Sequence, residues 1–422
     1  MKILLYGLNF APELTGIGRF SGDMAAWLAA RGHDVRAVTA PPYYPDWQVA
    51  EGYSGCWWRR ETWEGVDVIR CPLYVPRLAS GLRRVVHLAS FAISSAAPAK
   101  WWGLFWRPDV VFVVEPTAFV APAGLASAWL AGALSWLHVQ DFEFDAAIEL
   151  GLLPRAFGGP ATASERFMLR RFDTVSTISP RMVERLEAKG VPDDRTVMFP
   201  NWVDTSRILP DADGAGFRSE LGISQDAVVV LYSGNIGEKQ GIEQIATAAQ
   251  RVAQDRQVDD PPIQFVLAGA GAGREVIEQA VQEHGLGEDA FRLLPLQPEE
   301  KLPALLAMAD IHLLPQRAEA ADLVMPSKLG GMLSSGRPVV ASAAPGTQIA
   351  QTVATCGTVV EPGDGDAFGR AVLDLARDAD RRRILGLAAR REAEANWDRN
   401  AVLERFEQEL ERRVAARREM RK

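Results

Sequence analysis

Residues 3–20 read ILLYGLNFAPELTGIGRF: a short apolar run, a loop, and the opening of a helical pattern that continues to Arg31. Gly32 stands where a helix-ending glycine belongs, and Val35–Thr39 supplies a second apolar run. The same alternation repeats outward, with strand candidates at Val66–Ile69, Val110–Val114, Leu134–Val139, Thr174–Ile178 and Thr196–Phe199. Strands this continuously apolar need both faces covered, so helices between them imply a doubly wound parallel sheet. The stretch FPNWVDTSRILPDADGAG (199–216) has the Pro, Gly and Asp content of a junction, and after it the alternation restarts. Ala227–Ser233, Ile263–Ala268, Phe291–Leu294, Ile311–Pro315, Pro338–Ala341 and Thr358–Val360 are the strands of a second α/β domain. The expected division is 1–203 and 204–397. A final Arg- and Glu-dense helix over about 398–422 reads either as a solvated face or as one packing back on the first domain.

The bulk properties narrow the function. A chain of 422 residues, 48% hydrophobic and 24% charged, has ample core for two domains. Its net charge of −8 argues against a general nucleic-acid binder. Cys56, Cys71 and Cys356 are too few and too scattered for a disulfide framework or a CxxC metal site. The N-terminus lacks the pattern of a secretion leader, so a cytoplasmic location is expected. Residues 116–140 carry no Asp, Glu, Lys or Arg and are long enough to span a bilayer. Interruption by Pro116, Pro122, Gly124 and Gly132 favours a buried helix near Val120–Ala131 and a buried strand at Leu134–Val139.

Open parallel sheets bind ligands beyond the carboxyl ends of their strands, where several unusual loops fall. Thr15-Gly16-Ile17-Gly18-Arg19 follows the first strand, and its glycines would let a helix N-terminus approach an anion. It is neither a GxGxxG dinucleotide fingerprint nor a P-loop, and a plain turn would give the same residues. Gly234-Asn235-Ile236-Gly237-Glu238-Lys239 follows the first strand of the second domain, with Lys239 suited to neutralising a diphosphate. Gly269, Gly271 and Gly273 follow the next strand and suit either a ligand or a flexible turn. Asp322 precedes Pro326-Ser327-Lys328 at a helix start, where hydroxyl and ammonium groups reach phosphate oxygens, or where Ser327 simply caps the helix. In the first domain Glu115, His138 and Asp141 lie at strand ends, as candidates to orient a sugar hydroxyl or take its proton. No HxxxH, CxxC or DxD-like pattern lies near these loops, so no obligatory metal or other cofactor is expected.

Taken in order, MKILLYGLNFAPELTGIGRF (1–20), TAPPYYPDWQV (39–49), CPLYVP (71–76), HVQDFEFDA (138–146), FPNWVD (199–204), LYSGNIGEKQGIE (231–243) and LVMPSKLGGML (323–333) resemble the colanic-acid-biosynthesis glycosyltransferases, within family 4 of retaining GT-B enzymes. The resemblance spans nearly the whole chain. It implies two facing Rossmann-like domains, with the donor nucleotide-sugar held mainly by the second. It implies that the Gly16/Gly18 loop lies over the donor diphosphate, that Lys239 and Asn235 meet the phosphates, and that Ser327 and Lys328 lie beside phosphate or sugar. Closely similar proteins are regarded as fucosyltransferases that use GDP-fucose and a lipid-diphosphate-linked oligosaccharide acceptor. The wider family has two glutamates eight apart around this last turn. Here those places fall near Leu323 and at Gly331, and Asn235 replaces a usual arginine.

Ten of the twelve tryptophans lie before residue 141, and Val68–Pro108 contains no acid while holding Arg70, Arg77, Arg83, Arg84, Lys100 and Arg107. That combination suggests a surface lying peripherally on the inner face of a bacterial inner membrane, though the same aromatics would serve in a core. Two other functions fit the pattern: a nucleotide-sugar epimerase or hydrolase, and a non-catalytic assembly subunit.

Overall fold

The computed structural model describes residues 1–13, 16–77, 81–115, 118–142, 155–237, 240–271, 273–317 and 328–421. The chain forms two compact units, Met1–Pro200 with Leu403–Lys422, and Asn201–Val402.

The first unit holds an eight-stranded sheet. Its strands are β1 (Lys2–Gly7), β2 (Asp34–Thr39), β3 (Arg59–Trp63), β4 (Val66–Arg70), β5 (Val110–Glu115), β6 (Leu134–Val139), β7 (Thr174–Thr177) and β8 (Thr196–Met198), in the order β3-β4-β2-β1-β5-β6-β7-β8. All neighbours are parallel except β3 and β4. β1 is central because its apolar run pairs on both sides, Ile3 with Val35 and with Val110. The run after β1 becomes helix α1 (Gly16–Ala30), which ends where Gly32 turns at φ 89°. The uncharged segment resolves into α3 (Ala121–Ala131), closed by Gly132 at φ 70°, and the fully buried β6. Among the described residues no helix is long and apolar enough to cross a membrane.

β3 is absent from the sequence expectation. RRETW alternates charge without an apolar face, because it is an antiparallel edge strand. Its charges are met by neighbours: Arg60 binds Asp67 at 2.8 Å, and Glu61 receives the buried Arg70 at 2.8 Å.

The second unit holds β9 (Val228–Ser233), β10 (Ile263–Ala268), β11 (Phe291–Leu294), β12 (Ile311–Leu314), β13 (Val339–Ser342) and β14 (Gly357–Val360). They form one parallel sheet in the order β11-β10-β9-β12-β13-β14. Apolar clusters cover both faces, one around Val229, Leu231 and Leu333, the other around Val230, Tyr232 and Phe368. In each sheet the order reverses beside the first strand, so the loops after β1 and β9 sit at the switch points where such sheets take ligands.

The last helix, Arg399–Glu419, passes from the second unit into the first. Phe406 stacks on Phe199 at 4.0 Å and meets Phe112 and Trp136 edge-on at 5.4 Å each. Glu407 receives Arg31 at 2.7 Å and His33 at 2.8 Å, while Arg413 and Glu409 form an i,i+4 pair on the same helix.

Candidate functional site

In the second unit the loop after β9 is built on glycines that let backbones touch. Gly234 sits at φ 133°, and its N–H donates to the Ala268 carbonyl at 3.0 Å. A Cβ at position 269 would lie 1.9 Å from the Gly234 carbonyl oxygen, and one at 271 would lie 2.4 Å from that of Ile236. Gly269 and Gly271 therefore brace the β9 loop, and Gly269 is glycine for packing reasons. The Tyr232 hydroxyl, kept protonated because burial raises its pKa, donates to the Asn235 carbonyl at 2.6 Å. The Asn235 residue itself is exposed.

Lys328 completes this loop. It opens the short helix Lys328–Ser334, and its ammonium lies 4.0 Å from the centre of the Tyr232 ring. A Cβ at 234 would be 3.5 Å from the Lys328 Cδ and 4.0 Å from its Nζ. No carboxylate accompanies it among the described residues. Burial pushes its pKa down to about 7. A partly desolvated cation over a ring beside a glycine turn attracts an anion from solvent. Lys239, Glu238, Asp322, Leu323 and Ser327 lie outside the described residues. At Gly331 a Cβ would lie 3.3 Å from Leu306 Cδ1 and 3.7 Å from Ile208 Cδ1. A side chain there would start against apolar side chains.

The first unit presents a different arrangement. Gly16 begins α1 exposed at φ 63°, and Arg19 is exposed one turn on; Thr15 lies outside the described residues. Gly18 is buried, and a Cβ there would lie 2.3 Å from Glu13 Oε2. Glu13 is itself buried, accepting from Asn9 Nδ2 at 2.9 Å and from the Tyr43 and Tyr44 N–H groups at 3.2 Å each. Burial raises its pKa, opposed by those hydrogen bonds and by Arg70. The sequence reading passed over this acid. The signal was present, since a carboxylate within a loop expected to cradle an anion is out of place.

Glu115 ends β5 buried, in register with Val139, and Asp141 lies half-buried two residues farther on. The two acids thus sit at the carboxyl ends of adjacent strands. His138 is different. Its ring is buried, Nδ1 lies 2.8 Å from Ser176 Oγ, and Nε2 lies 2.9 Å from Gln140 Nε2. Gln140 can only donate from that nitrogen, so Nδ1 carries the proton and donates to Ser176. Burial lowers its pKa to about 3. As placed, both ring nitrogens are engaged inside the sheet.

Among the described residues, His33, Glu407 and Glu411 bring three potential metal-ligand atoms within 4.8 Å of one another. The N-terminal amine on His33 Nδ1 at 3.0 Å and Arg31 on Glu407 make this an ion-pair network instead.

Residues 15–202 match the family described as Glycosyl transferase 4-like domain, and residues 216–392 match Glycosyl transferases group 1. The chain is 43% identical over 419 residues to WcaI of Escherichia coli (strain K12), named as a colanic acid biosynthesis glycosyl transferase, covering 96% of this chain and 98% of that one. It is 28% identical over 408 residues to a GDP-mannose-dependent alpha-(1-6)-phosphatidylinositol monomannoside mannosyltransferase of Mycolicibacterium smegmatis, covering 94% of each. Among solved structures, the sucrose-phosphate synthase from Thermosynechococcus elongatus superposes with a TM-score of 0.72 at 20% identity, over 98% of this chain and 99% of that one. WaaG, a glycosyltransferase involved in lipopolysaccharide biosynthesis, gives 0.68 at 17% identity, over 96% and 98%.

Proposed function

The chain belongs to the glycosyltransferases with a 4-like N-terminal half and a group 1 C-terminal half, and from that premise we propose that it moves fucose from GDP-fucose to a lipid-diphosphate-linked oligosaccharide in exopolysaccharide assembly of the colanic-acid kind. The observation that carries the donor side is Lys328, an ammonium over Tyr232 at the β9 loop that has no carboxylate partner among the described residues. Lys328, Lys239 and the Gly234 turn receive the diphosphate, and lysine charge rather than a metal neutralises it. The anomeric C–O bond to the diphosphate breaks as the acceptor hydroxyl oxygen bonds to the same face of the sugar. The hydroxyl proton passes to the departing diphosphate. Cations held where charge develops lower the barrier more than they stabilise the ground state. Glu115 and Asp141 orient the acceptor hydroxyl.

Exposed side chains support a peripheral membrane location. Leu82, Val85, Val86, Ile93 and Trp101 stand out from helix α2 (Gly81–Trp101), and Leu104, Phe105 and Trp129 are exposed along the segments that pack with it. Arg77, Arg83, Arg84, Lys100 and Arg107 are exposed in the same acid-free stretch. Rings and aliphatic chains enter the interface while cations meet anionic headgroups.

A thermal-shift screen against nucleotide sugars tests the donor, since a ligand of the native state stabilises it by mass action. GDP-fucose should raise the melting temperature more than UDP- or ADP-sugars. The transferred sugar should keep its anomeric configuration by NMR. Inversion would refute the same-face displacement and require a true general base in the first unit.

A further inference from the structure

His87 lies in the second turn of α2 and is not among the residues that the sequence singles out. Its ring is buried, and Nδ1 is 2.7 Å from the Tyr74 carbonyl oxygen. A carbonyl only accepts, so the proton is on Nδ1 and Nε2 presents a lone pair. That Nε2 is buried and has no hydrogen-bond partner among the described residues. Burial lowers the proton affinity of the ring, and Arg84 lowers it further. Buried polar atoms without partners are uncommon enough in folded proteins to require an explanation.

The surroundings supply one. The His87 ring packs against Tyr43 at 4.9 Å and Trp47 at 5.3 Å, and those two rings meet edge-on at 5.6 Å. Trp47 is half-buried and sits at φ 51°, a left-handed conformation that bulky residues seldom adopt. Strain of this kind persists where the surrounding structure enforces it, and it clusters at ligand clamps and switches. Here the turn is pinned by the Ala50 N–H on the Pro42 carbonyl at 2.9 Å and by Glu13 on the Tyr43 and Tyr44 amides. Tyr43 and Trp47 follow the carboxyl end of β2, and Tyr74, whose carbonyl meets His87, follows that of β4, at the ligand end of this sheet; Tyr44 and Tyr74 are exposed. A half-buried indole and a phenol ring packed around one buried acceptor suit a molecule with an apolar face and hydroxyl donors: a sugar ring.

We propose that His87, Trp47 and Tyr43 form an acceptor-sugar subsite, in which Trp47 shifts from its strained position and a sugar hydroxyl donates to His87 Nε2. His87 is then a specificity-determining residue. A site built to hydrogen-bond one hydroxyl strongly rejects the analogue that lacks it. The assignment rests on the glycosyltransferase reading with a carbohydrate acceptor.

The test uses the full chain and a probe panel of octyl glycosides of glucose, galactose, mannose and fucose, titrated below their micellar range and followed by tryptophan fluorescence. At least one glycoside should quench saturably, and W47F should abolish that signal. H87F should weaken the binding roughly three- to tenfold, and H87Q, which keeps a side-chain acceptor, should weaken it less. The matching monodeoxy glycoside should bind the wild type weakly and should lose nothing further in H87F. Affinity for GDP and UDP should be the same in every variant. Folded H87F with unchanged glycoside affinity overturns the proposal, as does a panel that leaves Trp47 fluorescence untouched. Parallel loss of melting temperature and nucleotide affinity in H87F would make His87 a packing residue. Glycoside binding with no nucleotide binding in the wild type would instead defeat the transferase reading and leave the subsite standing.

Discussion

The loops after β1 and after β9 follow the same grammar, a strand, a glycine-bearing turn and a helix, yet they enclose opposite charges. In the first unit the turn is packed around the buried carboxylate of Glu13, and Gly18 is glycine because that carboxylate occupies the space a methyl would need. In the second unit the turn lies beside the ammonium of Lys328, which has no carboxylate partner among the described residues. The difference teaches that glycines at a strand end report close approach without saying of what. In one loop they admit an internal acid, and in the other they leave room for an external anion.

The largest effect should come from removing the cation. K328M is expected to weaken nucleoside-diphosphate binding roughly tenfold to a hundredfold, the worth of a hydrogen bond to a charged group, by isothermal titration. The sign of the pH dependence follows from a pKa of about 7: the ammonium is the binding form, so wild-type affinity should rise as pH falls from 8.5 through 7. Bound diphosphate favours the ammonium, so binding in this window should take up a proton. A flat profile identical in K328M would erase the contrast between the loops.

On the acid side, G18A should cost about 1–3 kcal/mol by overpacking against Glu13, read from denaturant melts. Combined with E13A, the two should cost less than their sum, because the second change removes what the first collides with. Strict additivity would show that Gly18 is not held by the acid.

R83E/R84E should reduce binding to anionic vesicles by at least about 2 kcal/mol, at about 1 kcal/mol for each basic residue lost, with repulsion of the new carboxylates adding to it. The loss should be smaller at 1 M salt, where the Debye length is about 3 Å rather than about 10 Å at 0.1 M. Wild-type binding that is indifferent both to the reversal and to salt would remove the electrostatic surface from the first unit. The smallest effect should be that of H138N, about 1 kcal/mol of stability for a disturbed buried hydrogen-bond set, with nucleotide affinity unchanged. With a pKa of about 3, His138 should contribute no step to the activity profile between pH 5 and 9.

Much of this molecule was legible in the order of its residues. Apolar runs such as VVFVV and VVVLY, separated by amphipathic helical patterns, admit few arrangements besides parallel sheets covered on both faces, and each expected strand is formed. Pro and Gly in the uncharged run marked it as helix plus strand for the same local reason: they break a continuous span. β3 escaped because an edge strand need not be apolar, and its partners Asp67 and Arg70 become neighbours only through the pairing with β4.

The site divides in the same way. Lys328 was marked by its place beside a helix start, a property of local sequence. That it lies over Tyr232, nearly a hundred residues earlier, depends on β9 and the Lys328–Ser334 helix being brought together. The surroundings of His138 could not be read from the sequence, because Ser176 on the next strand is what engages its Nδ1. Glu13 and His87 acquire meaning from residues 30 positions away and from the Tyr43 and Trp47 rings, respectively. Backbone periodicity is written locally and can be read locally. The protonation state, partner and exposure of a side chain are set by whatever the fold places within a few ångströms, and only the tertiary structure decides that.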